Sequence, residues 1–563
     1  MRKSVSFLLL IVIISFVLTS CTSPTASPST TGATQKATTV PQASTTVATT
    51  APTKDLTPSG GISLPLVDKP IKLTWFWEAD PKATAVISSY DKMAYFQEMA
   101  KRTNITIEFK HPPLNQASQQ FALMLSTNDL PDIVWYNWTL VPGGIAPLIK
   151  DGTILNLKAD MAKYAPNITK MFKENPTLLK EATLDDGSFF SFPKIKGDAS
   201  ILVTTGLQIR KDWLTRLNLA EPVTIDDWYK VLTAFKTKDA NGDGNATDEI
   251  PYVGLSSATN FPLDGFANAW NLRYNDFSVR GDKVVFGPIT PEYKSFVETM
   301  AKWYAEGLID PDYLSTDAKI FESKIVGNTA GSYMGTINGN MGKFLDVWKA
   351  AGKTDYDLVP LPNAKLDASS QRYGRHVQSF VSADGAAITS KNKYIKETMM
   401  YLDYGYSPDG SMLSNYGILG DSYTMVNNKP VFTDVVLKNP NKYPVINALH
   451  LYNFAVSQGP GVQFSDTFFQ TATNARLNIC YPVFSKDHIK INMPNLTASP
   501  DENTKLSSIL GDAKTLVEEK VNKFIMGIEP LKNYDAFVTQ LKNLKIEEAV
   551  AIEQAMFDRF NNK

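Results

Sequence analysis

Residues 71–136 alternate between two hydrophobic periods, and this constrains the fold more than any other feature of the chain. Ile71, Leu73, Trp75 and Trp77 fall on every second position, the pattern of a strand. Met93, Phe96, Met99 and Ala100 follow at helical spacing, and Ile105, Ile107 and Phe109 return to alternation. Residues 116–126 read as a helix with Phe121, Leu123 and Met124 inward. Asp132-Ile133-Val134-Trp135-Tyr136 then forms a short buried strand. The order is β-α-β-α-β, which predicts an α/β fold with a parallel sheet and right-handed crossovers. Ligands of open α/β sheets collect beyond the carboxyl ends of the strands. Trp77, and Trp135 through Trp138, fall at two such ends.

Further helices are expected at 210–217, 225–235, 291–306, 393–404, 503–524 and 546–560. Thr224 is placed to cap the second of these, with Asp227 in its first turn. Gly307 ends the third. No internal repeat is visible. The body beyond the amino-terminal segments holds roughly 500 residues, too many for one simple core, so two or more lobes are expected.

The first 21 residues and the 41 that follow are of another kind. Arg2 and Lys3 precede an apolar run, 7–18, too short to span a membrane as a stable helix. Leu18-Thr19-Ser20-Cys21 closes that run and resembles the lipobox of bacterial lipoproteins, in which Cys21 is acylated and becomes the new amino terminus. Residues 1–21 are therefore expected to be a lipoprotein signal peptide. The mature chain would be lipid-anchored on the extracellular face of the cell membrane. Residues 22–62 are rich in Thr, Ser, Ala and Pro, and only Lys36, Lys54 and Asp55 are charged. Nothing there repays the entropy of ordering, so a disordered linker is expected, spanning on the order of 35 Å.

The formal net charge is -1, and no Lys/Arg run occurs, which argues against nucleic acid as a partner. Of two cysteines, Cys21 is assigned to lipid, leaving Cys480 without an intramolecular disulfide partner. Its apolar neighbours Ile479, Tyr481 and Val483 suit a buried structural residue. Core packing uses many of the nine Trp and 23 Tyr, and a surplus of them also suits the apolar faces of sugars.

Several segments resemble the extracellular solute-binding protein family 1, the lipoprotein receptors of carbohydrate ABC importers, in its long Gram-positive branch. They are Asn128-Asp129-Leu130-Pro131-Asp132-Ile133, Lys211-Asp212-Trp213-Leu214 with Thr224-Ile225-Asp226-Asp227-Trp228, and Glu306-Gly307-Leu308-Ile309-Asp310-Pro311. Tyr404-Gly405-Tyr406-Ser407-Pro408-Asp409-Gly410 and Lys523-Phe524-Ile525-Met526-Gly527 complete the set, in the expected order. The resemblance implies a two-lobed periplasmic-binding-protein-like fold of type II, with a hinge and a central ligand cleft. It also implies an oligosaccharide ligand, ABC permease subunits as partners and a monomeric receptor. The expected first lobe is 63–195 with 386–445, and the second 200–378 with 446–563. Chain crossings are expected at 194–204 and 378–386.

Asp239-Ala240-Asn241-Gly242-Asp243-Gly244-Asn245 matches the first half of an EF-hand calcium loop. Oxygen ligands fall at its positions 1, 3 and 5, and a glycine stands at the sharp turn. Ile250 occupies the position where an EF-hand has Glu, but Asp248 and Glu249 come just before it. Similar binding proteins close a compact loop with Asp-Glu before Ile-Pro, which Asp248-Glu249-Ile250-Pro251 fits with one extra residue. The expected site is structural calcium held by Asp239, Asn241, Asp243, Asn245, Asp248 and Glu249. The alternative is a polar turn without metal.

Trp and Tyr cover sugar faces while polar groups bond hydroxyls. The expected ligand residues are Trp77, Trp135, Asn137, Trp138, Trp270, Asn271 and Tyr333. Trp75, Trp213, Trp228, Trp303 and Trp348 are assigned to packing. No HExxH pair, GxSxG elbow or complete P-loop is present, and no catalytic residues are expected. A glycosidase needs only two carboxylates, so a secreted polysaccharide-degrading enzyme is the alternative function. A sugar sensor that does not transport is another.

Overall fold

The computed structural model describes residues 63–256, 262–374, 378–457, 459–472, 475–486 and 488–563. The signal peptide 1–21 with Cys21, and the linker 22–62, lie outside the described residues. Two sheets dominate. Their strands are β1 (Ile71–Phe76), β2 (Ile105–Lys110), β3 (Ile133–Asn137), β4 (Ser191–Lys196), β5 (Thr205–Arg210), β6 (Ile250–Val253), β7 (Ala330–Thr336), β8 (Leu358–Leu361), β9 (Val381–Ile388) and β10 (Gly461–Gln463).

The first sheet has the order β10-β4-β9-β3-β1-β2. β1 lies between β2 and β3, parallel to both, with Trp75 opposite Phe109 and Ile133. β1, β2 and β3 are parallel as read, but β9 runs antiparallel to both β3 and β4, so the sheet is mixed and not all-parallel. Its connections are fixed locally. Helix Ala94–Thr103 stops at Asn104 and helix Ala117–Thr127 at Asn128, with φ of 58° and 54°; Asn tolerates this left-handed turn better than most side chains. The segment Asn128-Asp129-Leu130-Pro131-Asp132 then locks onto β1. The Asp132 carboxylate accepts from the Thr74 N–H at 2.7 Å and its hydroxyl at 2.8 Å, and the Asp132 N–H donates back to that hydroxyl at 2.9 Å.

The second sheet has the order β8-β5-β7-β6, with β5 antiparallel to both neighbours. The Arg210 guanidinium, at the end of β5, is fully buried and forks onto Asp212 at 2.8 and 2.5 Å. The rings of Trp213, Trp348 and Tyr356 stack around it at 4.5–5.1 Å, which offsets the cost of burying the charge. Thr224 caps helix Ile225–Thr237 in a reciprocal capping box with Asp227.

The chain leaves the first sheet after Lys196, enters the second at Thr205 and returns at Val381. One expected boundary is corrected. The first lobe does not end at 445, because β10 pairs in parallel with β4, Gly461 opposite Lys194. Helix Val445–Tyr452 also stays with that lobe, its Asn447 amide donating to the Lys82 carbonyl at 3.0 Å. A three-residue strand carries too little periodicity to be seen in sequence. Beyond it, Leu477, Cys480 and Phe484 pack on the second sheet with Val253, Ala330 and Tyr333. The long carboxyl-terminal helices Pro500–Ile525 and Ile546–Asn561 belong to the core on the opposite face, which also holds Leu207, Ile209 and Tyr252. Trp75, Trp213, Trp228, Trp303 and Trp348 are all buried in the cores.

Candidate functional site

A cavity of about 390 Å³ opens between the first sheet and the carboxyl-terminal segment of the chain. One wall comes from the turn after β3 (Trp138, Thr139, Val141), from Glu181, from Phe190, Ser191 and Pro193 around β4, and from the start of β9 (Val381, Ser382, Ala383). The other comes from residues 493–498, from Asn503 and Leu506, and from Glu553 and Met556. The size falls within the roughly 300–1,000 Å³ of small-molecule sites, and the lining mixes apolar surface with hydroxyls and amides. Trp138 is held rigidly. Its Nε1 donates to the Gly385 carbonyl at 3.0 Å, and Phe190 meets it edge-on at 5.6 Å.

The rim is tied by charge. Arg559 near the carboxyl terminus bonds Asp185 at 2.9 Å and forks onto Glu502 at 2.8 Å. Lys563 reaches Asp185 at 3.1 Å and donates to the Thr183 carbonyl at 2.8 Å. Within the cavity Glu181 accepts from the Val381 N–H at 2.9 Å, and burial raises its pKa despite that bond. Burial, with Asp276 and Glu502 adding and Lys514 opposing, pushes Glu553 up to about 7.

Among the residues expected to bind ligand, Trp138 lines this cavity and the other six do not. Trp77 and Trp135 stack on each other at 4.7 Å, inside an aromatic core with Trp75, Phe96 and Phe454. Trp135 lies within β3, not after it, so strand alternation turns it to the opposite face from Tyr136. Asn137 caps the turn after β3, accepting from the Thr139 N–H at 3.1 Å and its hydroxyl at 2.6 Å. Trp270 packs on Phe296 and donates to the Ser295 hydroxyl at 3.2 Å. Asn271 adopts φ 58° and its carbonyl accepts from Arg280 at 3.2 Å. Tyr333 is sandwiched between Phe321 and Phe344, and burial drives its phenol far above the usual range. The cavity residues that sequence reasoning missed, Glu181, Ser382, Asn495, Asn503 and Glu553, come from four distant stretches of chain. None sits in a motif.

The loop 239–249 folds as a series of side-chain-capped turns. Asp239 accepts from the N–H groups of Gly242 at 2.7 Å, Asp243 at 3.1 Å and Gly244 at 3.0 Å. Gly244, at φ +93°, makes the sharp turn anticipated for it. Asn241 bonds Asp248 at 3.3 Å, and Glu249 accepts from the Ala240 N–H at 2.8 Å through one oxygen. The other Glu249 oxygen is buried with no partner, and burial raises that carboxyl, with Asp248 adding. Among the described residues no three acidic, His or Cys groups converge as a metal cluster. Each carboxylate of the loop is turned toward local donors instead. The loop is coupled to the second sheet, because Asn328 accepts from Arg210 at 2.6 Å and donates to the Asn241 carbonyl at 3.5 Å.

The fructooligosaccharide ABC transporter substrate-binding protein FusA of Streptococcus pneumoniae is 26% identical over 483 residues, covering 82% of this chain and 86% of its own. The solved alginate-binding protein AlgQ2, crystallised without calcium ion, is 26% identical with a TM-score of 0.67, covering 87% of this chain and 99% of that one. A FusA EF-hand mutant in complex with fructo-nystose is 24% identical with a TM-score of 0.68, covering 88% and 100%. These neighbours are two-lobed solute-binding proteins, and the present chain shares that α/β fold. All are named as binding proteins. Residues 88–412, more than half of the sequence, match the family described as bacterial extracellular solute-binding protein, and the chain belongs to that family.

Proposed function

We propose that this protein is a lipid-anchored receptor that takes up an oligosaccharide in the cavity walled by Trp138 and passes it to an ABC importer permease. The observation carrying this is the cavity itself: a buried, fixed Trp138 in its wall with hydroxyl and amide groups around it, between the first sheet and the carboxyl-terminal segment, in a solute-binding fold. FusA is named for fructooligosaccharides and AlgQ2 for alginate, which supports an oligosaccharide as cargo. The lobes close when ligand contacts favour the closed conformation. Cys21 and the linker 22–62 hold the receptor near the transporter, raising its effective concentration there. Thermal unfolding across an oligosaccharide panel tests the reading. A ligand at about 100 times its Kd adds about 2.7 kcal/mol and raises Tm without being consumed. Consumption of the sugar establishes an enzyme instead.

The loop 239–249 is proposed to bind calcium through the side chains of Asp239, Asn241, Asp243, Asp248 and Glu249 and the main-chain carbonyl of Asn245. Calcium takes six to eight hard oxygens, and the orphaned buried oxygen of Glu249 suits that demand. The metal supplies structural charge balance and no chemistry. Chelation is expected to lower Tm by the equivalent of about 2–3 kcal/mol at saturating starting calcium, and Glu249→Gln to abolish that sensitivity. An unchanged Tm on chelation removes the metal.

A further inference from the structure

The ionisable side chains on the cavity wall are of one sign. Of its described lining residues, Glu181 and Glu553 are ionisable, and no Lys, Arg or His contributes. The neighbouring cations are engaged elsewhere. Lys514 pairs with Asp276 at 3.5 Å, and Arg559 is divided between Asp185 and Glu502. Lys490 acts on Glu181 from the exposed strand His488–Lys490 without lining the wall. Lys194, adjacent to the wall residue Pro193, is likewise off the lining and feels Asp384. Around Glu553 the carboxylates of Asp276 and Glu502 are themselves paired, with Arg273 at 2.8 Å and with Arg559, and Lys514 opposes their effect on Glu553. The remaining lining offers neutral partners: the apolar surfaces of Trp138, Phe190, Leu506 and Met556, with Ser382 and Asn503 among the polar groups.

We infer that this cavity selects uncharged oligosaccharides and rejects polyuronates. The inference rests on the oligosaccharide reading of the same cavity. A uronate residue brings a carboxylate on every ring. On the wall each such group meets Glu181 or Glu553, with no cation among the described lining residues to neutralise it. A neutral ring meets the same carboxylates as hydrogen-bond acceptors for its hydroxyls, and its apolar face meets the apolar lining around Trp138, Phe190, Leu506 and Met556. The rejection is strongest when Glu553 is ionised. The raised pKa of that carboxyl, about 7, makes it ionised above neutrality and protonated in mild acid, where uronates keep their charge.

The test is calorimetric titration of the full-length protein in detergent with neutral tri- and tetrasaccharides (fructans, xylans, mannans) and with galacturonate and mannuronate oligomers of matched length. At pH 8 the best neutral sugar is expected to bind at least tenfold tighter than any uronate. The ratio is expected to shrink at least threefold at pH 5.5, and Glu553→Gln to shrink it similarly at pH 8, with folding of the variant checked by its Tm. A uronate that binds as tightly as the best neutral sugar at pH 8 overturns the inference while leaving the oligosaccharide reading intact. So does a ratio that ignores both pH and Glu553→Gln. Failure of every sugar, neutral or acidic, overturns the oligosaccharide reading and the inference with it.

Discussion

The two faces of the first sheet use the same kinds of residue for opposite ends. On one face Trp75, Trp77 and Trp135 close with Phe96 and Phe454 into an aromatic core. On the other, Phe76, Tyr136, Trp138 and Phe190 form a thinner layer that opens onto the cavity. Trp135 and Trp138 are three positions apart and both buried, yet only Trp138 borders the cavity. The difference teaches that residue type does not assign a Trp to a ligand. The strand's two-residue period and what lies across the face do so.

The largest effect should come from breaking the closed face. Trp75 is fully buried and touches Trp77, Phe96, Phe109 and Phe454 at 5.4–6.3 Å. Trp75→Ala is expected to cost about 3–5 kcal/mol in chemical unfolding, through lost burial and the cavity left behind. Trp138 is also buried, at 5% exposed, but it borders the cavity, so Trp138→Ala is expected to cost toward the low end of that range, about 3 kcal/mol. It should also weaken sugar binding at least tenfold, about 1.4 kcal/mol. Equal stability losses with unchanged binding would erase the distinction between the faces.

A smaller, graded effect belongs to the end of β4, where the chain leaves the sheet. Lys196 is buried and donates to the Ile201 carbonyl at 3.2 Å. Burial, with Lys194 beside it, lowers its pKa to about 7. The unfolded chain therefore binds more protons than the folded one between pH 7 and the ordinary lysine value near 10.4. Stability should rise with pH across that window, by at most about 1.4 kcal/mol per pH unit, and the penalty is fully present below pH 7. Lys196→Met should flatten the slope in urea titrations run at pH 7, 8 and 9. A variant that keeps the wild-type slope assigns it to other groups.

Much of this was legible in the sequence because it is local. Alternation at Ile71–Phe76 and helical spacing at Ala94–Thr103 depend on neighbours a few residues away. So do the capping box of Thr224 with Asp227 and the turn at Gly244. The cavity was not legible in the same way, because its walls join residues near 140, 181, 191, 382, 495 and 553. Trp270 and Tyr333 carry a plausible composition for a cleft and are packed against Phe296, Phe321 and Phe344.

The sequence by itself determined the β-α-β-α-β start, the helix ends and the spacing of the acidic loop, since these follow from backbone preference and short-range hydrogen bonds. It also carried enough of the family's segments to point to the family. Only the tertiary structure decided that β10 returns to the first sheet, which Trp borders the cavity, and that the ionisable groups among the described wall residues are carboxyls. Those outcomes depend on which distant segments pack across each face, and burial, electrostatic environment and access to ligand are properties of that packing.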